Sequence, residues 1–241
     1  RMEVSEEIYR RGLQFEGYSP TNAGFEGALY QLYHGKISQQ QFNEEVQRMR
    51  SYNTDWYDIL FRNSFSHSHT ISMSGASKTV NYYFSAGYSK QQGAPLDEDS
   101  ERFTFMANLG FKLSERLQAR VSLGANISTT NRPTVDLMQY AYNTARTIPL
   151  YNADGSLFFY DNAAGATDDN GETVPLVFNV LNELEHSGIQ DKIRGINTNI
   201  SLDYKIASWL QLNAVLSYNT SATDQETWYG ERSFEVAKKR K

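Results

Sequence analysis

The stretch VNYYFSAGYSKQQG, residues Val80 to Gly93, alternates in character from one residue to the next. Its apolar or small side chains are Val80, Tyr82, Phe84, Ala86 and Tyr88. The positions between them carry mostly polar or small side chains. A period of two predicts a β-strand with one apolar and one polar face. The predicted strand is about twice as long as an ordinary strand of a globular protein.

Five further segments repeat this alternation. They are residues 65–75, 102–113, 117–129, 196–206 and 210–220. Short turns between neighbouring strands alternate with longer connections, of which residues 129–192 form the longest. Outer-membrane barrels have short turns on the periplasmic side and long loops outside. The sequence therefore predicts an all-β fold, made of antiparallel up-and-down strands of a transmembrane β-barrel with helical insertions in its extracellular loops.

The alternation also predicts which side chains share a solvent. The row expected to face lipid contains Phe105, Leu109, Val121, Leu123, Leu202 and Leu212. The row expected to face a water-filled lumen contains Asn108, Arg120, Ser122, Asn199, Ser201 and Asn213. A one-residue error in register would exchange the two rows.

A soluble β-sandwich or a lipocalin-type barrel is the alternative, because both also alternate. The polar rows of this chain are mostly Asn, Ser, Gly, Thr and Gln, whereas a surface facing bulk water is richer in Lys and Glu. No run of about 20 apolar residues occurs, so the sequence predicts no transmembrane helix. A barrel strand needs only every second residue to be apolar, which agrees with a hydrophobic content of 39%.

Composition excludes several classes of site. The chain has no cysteine, so it forms neither disulfides nor zinc–thiolate sites. Its net charge of -5 gives no indication of nucleic-acid binding. The basic run at residues 238–241 is interpreted as a solvated tail.

The segment NTDWYDILFRNSFSHSHTISMSGASKTVNYYFSAGYSKQQG, which starts at Asn53, strongly resembles the SusC-like TonB-dependent transporters of Bacteroidetes. The resemblance continues through RFTFMANLGFKLSERLQARVSLGANISTTNRPT and includes IPLYNADGSLFFY and VPLVFNVLNE. It covers residues 53 to about 220, with several spaced blocks in the expected order. This resemblance implies a barrel of about 22 strands, of which this chain holds about six.

The resemblance also implies a function, a location and partners. It implies part of an importer of glycans or peptides in the outer membrane of a Gram-negative cell, not an enzyme. The implied partners are a SusD-like surface lipoprotein, outer-membrane lipid, an oligosaccharide or peptide substrate, and the TonB complex, which contacts a plug region that this sequence lacks. Because the chain starts at Arg1 within a polar amphipathic segment, it is interpreted as an internal piece of a longer protein.

The expected organisation has five parts. They are a helical or loop segment at 1–64, four barrel strands at 65–128, a long extracellular insertion with helices at 129–192, two further strands at 193–220, and a loop or tail at 221–241. Within the first part, Ser38 and Gln41 predict a capping box at the start of a helix. Within the insertion, one helix is expected from about Val135 and another between Pro175 and Gly188.

The first of these helices carries the candidate substrate-binding residues Tyr140, Tyr142, Asn143 and Arg146. Sugars stack on aromatic faces and amides bind hydroxyls, so the set suits an oligosaccharide or a peptide. The alternative is that these side chains pack the loops together.

No cofactor, metal site or catalytic set is predicted. His67 and His69 could form a metal pair, but an interfacial position at a strand end explains them better. The acids at 97–101 are expected in a solvated loop. Residues 151–160 resemble part of a calcium loop, but such a loop needs an acid two positions before Asn152, where this chain has Leu150. Asp154-Gly155 instead predicts a hairpin turn with positive backbone angles. A surface-exposed binding or adhesion protein remains the alternative function, with an outer-membrane enzyme as a third.

Overall fold

The computed structural model describes residues 2–11, 24–167 and 173–239. The helices are α1 (Met2–Arg10), α2 (Gly24–Tyr33), α3 (Gln39–Arg50), α4 (Trp56–Leu60), α5 (Leu137–Asn143), α6 (Val180–His186) and α7 (Phe234–Lys239). The strands are β1 (Phe65–Ala76), β2 (Val80–Gln92), β3 (Asp99–Lys112), β4 (Leu117–Arg132), β5 (Tyr160–Thr167), β6 (Thr173–Phe178), β7 (Ser187–Ala207) and β8 (Leu210–Tyr229).

The chain forms two compact units. The sheet unit comprises Asn63–Arg132 and Ile189–Thr227. The helical unit comprises Arg1–Arg62, Pro133–Gly188 and Trp228–Lys241.

The sheet unit is one six-stranded sheet in the order β1-β2-β3-β4-β7-β8. The pairs from β1 to β7 are antiparallel without a break in register. Each strand therefore lies beside its predecessor in this sheet, which is the up-and-down arrangement that the alternating pattern predicts. The open sheet leaves β1 and β8 as its edges.

The register confirms which predicted residues share a face. Leu109 pairs with Val121, and their neighbours Asn108 and Ser122 also pair, so apolar and polar rows run separately across the strands. Asn213 donates a hydrogen bond to Asp203 over 2.6 Å, which keeps the polar row continuous into β8. Because side chains alternate with a period of two, the remaining predicted rows follow from these pairs.

Strands β7 and β8, at 21 and 20 residues, are much longer than the patterns at 196–206 and 210–220 predict. The added lengths contain polar runs such as TSATDQET, which carry no apolar alternation. Main-chain pairing extends such strands without a hydrophobic row, so a pattern-based prediction ends them too early.

One helix pair shows how the helical unit is built. Helices α2 and α3 bury Phe25, Leu29, Phe42, Val46 and Met49 against one another. The predicted capping box at the start of α3 is confirmed: Gln41 N donates to Ser38 Oγ over 3.2 Å, and Ser38 N donates to Gln41 Oε1 over 2.8 Å. Among the residues that the structure describes, no helix is both long and apolar enough to cross a membrane.

Both predicted helices of the long insertion form, but each is shorter than expected. Helix α5 starts after the N-cap Asp136, whose carboxylate accepts a hydrogen bond from Gln139 N over 2.9 Å, and not at Val135. Helix α6 starts after the N-cap Asn179 and not at Pro175. Thr173–Phe178 instead forms strand β6 and pairs with β5, because the β-branched Thr173, Val174 and Val177 favour an extended backbone.

Candidate functional site

A cleft of about 420 Å³ lies within the helical unit, and we call it the aromatic cleft. Five of the side chains that line it are aromatic: Tyr140, Tyr160, Phe178, Tyr229 and Phe234. Its volume falls within the range of small-molecule pockets, which runs from about 300 to about 1,000 Å³.

The wall of the aromatic cleft is held by ring packing. Tyr140 meets Trp56 edge to face with ring centroids 5.3 Å apart, and its ring is also 5.8 Å from Phe178. Phe178 contacts Phe234 at 5.6 Å, also edge to face. These geometries are the preferred ones for aromatic pairs, so the rings form a fixed wall.

Two tyrosine hydroxyls meet in this wall. Tyr160 Oη donates a hydrogen bond to Tyr140 Oη over 3.0 Å. Burial raises the pKa of Tyr140 far above its usual range and raises the pKa of Tyr160 as well. Both hydroxyls therefore stay protonated at physiological pH and act as neutral hydrogen-bonding groups.

Three carboxylates line the same cleft: Asp136, Glu183 and Glu235. Glu183 is only 4% exposed. Its Oε1 accepts hydrogen bonds from Phe234 N over 2.9 Å and from Asn182 Nδ2 over 3.1 Å. Burial raises the pKa of the Glu183 carboxyl, against the opposing effect of these hydrogen bonds.

The four predicted substrate-binding residues separate into two groups. Tyr140 and Asn143, one helical turn apart on α5, both line the aromatic cleft. Tyr142 is 77% exposed and does not line it. Arg146 forms an ion pair with Asp55 and donates from Nε to Thr54 O over 3.2 Å.

Arg146 belongs to a clasp made by the NTDW block, residues 53–56. Thr54 N donates to Arg146 O over 2.9 Å, and Thr54 Oγ1 donates to Ile148 O over 2.7 Å. Trp56 Nε1 donates to Ala145 O over 3.2 Å. The block that carries much of the sequence resemblance thus holds the chain that leaves α5.

The minor candidates lie in strand β1 and in the turn at 152–156. The rings of His67 and His69 lie 5.3 Å apart within β1. The part of the chain that the structure describes contains no group of three or more His, Asp or Glu side chains suited to a metal ion. In the turn at 152–156, Gly155 has the expected positive φ of 85°. The expectation of a second positive angle at Asp154 is wrong, because this carboxylate instead accepts hydrogen bonds from Ser156.

Sequence reasoning missed most of the cleft wall. Phe178 and Glu183 lie in the second helix predicted for the insertion, Tyr160 lies in a block known only from the resemblance, and Tyr229 and Phe234 lie beyond the region of resemblance. The sequence does contain one indication of this wall: aromatic residues are concentrated at 158–160 and at 178, as is typical of loops that pack against one another. No sequence pattern indicates that residues so far apart in the chain meet.

The comparisons with known proteins agree with the fold. No protein-family profile matches the chain. The TonB-dependent receptor P26 of Formosa agariphila is 32% identical over 120 residues, which are 49% of this chain and 12% of that protein. The TonB-dependent receptor SusC of Bacteroides thetaiotaomicron is 39% identical over 57 residues, 24% of this chain and 6% of that protein. Both relatives carry receptor names and not enzyme names.

A solved structure is also similar. The structure of the RagAB peptide transporter matches with a TM-score of 0.58 at 19% identity, covering 73% of this chain and 20% of that one. At this identity the likeness concerns the fold alone. The chain spans about an eighth of the length of the F. agariphila receptors that it matches, at 12% and 13%. Together these similarities confirm the resemblance to SusC-like TonB-dependent transporters.

Proposed function

We propose that this chain, with its SusC-like sequence blocks, serves as part of a TonB-dependent importer in the bacterial outer membrane. The observation that carries the proposal is the open up-and-down sheet with one continuous, exposed apolar face. In the importer the sheet unit forms barrel wall, and the helical unit forms extracellular loops that meet substrate. The activity is transport without catalysis.

The apolar face needs a solvent other than water. Ile71 on β1 is 75% exposed and Leu216 on β8 is 66% exposed, and apolar side chains of every strand between them share the face. Soluble monomers rarely expose contiguous apolar patches larger than a few hundred Å². Lipid satisfies such a face, which supports an outer-membrane location.

The opposite face suits a hydrated lumen. Arg120 lies 3.2 Å from Asp203 across neighbouring strands, and Ser217 Oγ donates to Asn199 over 2.6 Å. These polar side chains pair with one another across neighbouring strands, and a polar inner face of this kind lines the aqueous channel of outer-membrane barrels.

The helical unit is proposed as the part that meets substrate. Tyr140 and Asn143 contact it inside the aromatic cleft, Tyr142 contacts it from the exposed side of α5, and Arg146 keeps α5 in place through Asp55. The substrate is an oligosaccharide or a peptide, since rings and amides bind both. A SusD-like lipoprotein covers the loops, and the TonB complex supplies energy through a plug domain.

Uptake by cells that produce the intact protein tests this proposal. Cells given a labelled mixture of oligosaccharides and peptides should accumulate label inside, and dissipating the inner-membrane proton gradient should stop accumulation. Binding to the cell surface without energised accumulation would contradict import and favour the adhesion alternative.

A matched pair of variants tests the cleft. Asn143→Ala should reduce uptake while leaving the amount of assembled barrel unchanged. Met138→Ala, a change at another exposed position of the same helix that does not line the cleft, serves as the control. Equal uptake by both variants would remove Asn143 from the site.

A further inference from the structure

The aromatic cleft has an unbalanced charge. It is lined by three carboxylates and five aromatic rings, and none of the described residues that line it is lysine, arginine or histidine. Aromatic faces and carboxylates both attract cations, and neither attracts anions. The lining therefore selects for positive charge.

Glu183 offers a specific acceptor atom for a bound cation, its carboxylate oxygen Oε2. The residue is buried and lines the cleft. Both of its hydrogen bonds end on Oε1. Among the described residues, Oε2 accepts no hydrogen bond. Because both hydrogen bonds occupy Oε1, Oε2 is the carboxylate oxygen that remains available to a donor in the cleft.

The other two acids of the cleft are more exposed than Glu183. Asp136 uses its carboxylate to cap α5. Glu235 lies in the first turn of α7 and is partly exposed. Burial raises the pKa of Glu183, the hydrogen bonds from Phe234 and Asn182 and the nearby His186 act in the opposite direction, and Glu235 adds to the rise.

We propose that the aromatic cleft binds a primary ammonium group of the imported substrate, with Glu183 Oε2 as the acceptor and the surrounding rings as cation–π partners. The inference rests on the proposed import function and adds a substrate chemistry to the same site. An ammonium group offers three donors, so it can also reach the neutral tyrosine hydroxyls in the wall. Its sources are a lysine side chain of a peptide or a non-acetylated amino sugar.

Direct binding to the intact protein in detergent tests the proposal. The probes are two matched pairs: a blocked lysine tripeptide and its Nε-acetyl form, and glucosamine and N-acetylglucosamine. At neutral pH at least one ammonium form should bind about tenfold more tightly than its acetylated partner, a difference worth about 1.4 kcal/mol. The pair that shows the preference identifies the source. Equal affinity within both pairs would overturn the proposal.

Variants then test the acceptor. Glu183→Gln keeps an oxygen for Phe234 N and should abolish the preference for the ammonium form over its acetylated partner. Glu185→Gln, an exposed acid on the same helix that does not line the cleft, should keep the preference. Retained preference in Glu183→Gln would overturn the assignment of Glu183.

Two readouts separate the possible failures. If Glu183→Gln does not assemble, Glu235→Gln replaces it, because Glu235 lines the same cleft at a partly exposed position. Glu235→Gln should weaken the preference for the ammonium form by a smaller factor. An unchanged preference in this variant would count against an acidic cation site. Energised uptake of a neutral substrate by the wild-type protein reports on import itself. Import with no ammonium preference in the wild type would reject this inference and keep the proposed function.

Discussion

The two units of this chain treat their apolar side chains in opposite ways. In the helical unit Leu29, Leu60 and Val180 are fully buried, whereas in the sheet unit Leu212 and Leu216 are more than half exposed. The sheet unit buries almost none of its long apolar rows within the described residues. The same residue types thus stabilise the helical unit by packing, whereas in the sheet unit they form an exposed apolar face that suits lipid. The difference shows that hydrophobic content alone does not predict where a core lies.

The sharpest test of this contrast exchanges one leucine in each unit for alanine. Leu60→Ala should destabilise the helical unit by about 2–5 kcal/mol, because it deletes a fully buried side chain and leaves a cavity. Leu216→Ala should change stability much less, since its side chain packs against no core of this chain. Protease protection during thermal unfolding in detergent measures both. Similar losses would mean that the sheet has a core of its own.

A charge placed on either face of the sheet tests the assignment of solvents. Leu123→Arg should reduce the assembled protein in outer membranes, because arginine on the lipid face at mid-depth costs about 2–4 kcal/mol. Ser122→Arg should be tolerated, because its face already carries Arg120. Heat-modifiable mobility of membrane extracts on gels gives the assembled fraction. Reversed outcomes would place lipid on the polar face.

A smaller effect is expected from the cap of α6. Asn179 is buried, accepts hydrogen bonds from Leu181 N and Asn182 N, and donates to Phe158 O over 2.9 Å. Asn179→Ala should cost about 1–2 kcal/mol, since it removes a cap. The exposed cap Ser38 offers a comparison, where alanine should cost no more than about 1 kcal/mol. Hydrogen exchange of the first turn of each helix separates the two.

The smallest effect concerns pH. Because the pKa of Glu183 is raised on folding, the folded chain holds this proton more tightly than the unfolded chain. The free energy of unfolding should therefore fall as pH rises from the ordinary carboxyl value through the raised one. Glu183→Gln should flatten that part of the profile. Melting temperatures from about pH 4 to about pH 8 measure the slope. An identical slope in wild type and variant would mean that Glu183 does not titrate there.

The sheet was predictable because its physics is local. A period of two in residues such as Phe105, Leu109 and Val121 reports the face of each strand directly, and antiparallel neighbours joined by short turns leave little choice of order. The capping box of Ser38 and Gln41 was predictable for the same reason. The ends of β7 and β8 were not, because main-chain pairing continues there without a patterned side-chain row.

The aromatic cleft was only partly predictable because it depends on contacts between distant segments. Tyr140 and Asn143 were found from their spacing on one helix. Arg146 was grouped with them, yet its guanidinium is paired with Asp55 in the NTDW block. Glu183 was overlooked, because an acid on an amphipathic helix is ordinary until burial against Phe234 is known. The spacing of residues in the sequence predicts which side chains share a face of a helix or strand. Only the folded structure shows which other residues that face contacts.

The hydrogen bonds between α6 and the turn before α7 have a consequence for folding fidelity. Gly230 N donates to His186 O over 2.7 Å, and Asn182 Nδ2 donates to Arg232 O over 2.8 Å. The chain between these two points is the β7–β8 hairpin, whose other end is a tight turn at 208–209. Because both ends of the hairpin are fixed, β8 cannot shift along β7 by one residue without breaking these two hydrogen bonds. Long strands with polar ends are prone to such slips, and each slip would turn a whole row of side chains to the wrong solvent. The hydrogen bonds between α6 and residues 230–232, which lie outside the sheet, thus help to select the correct register of β8 on β7.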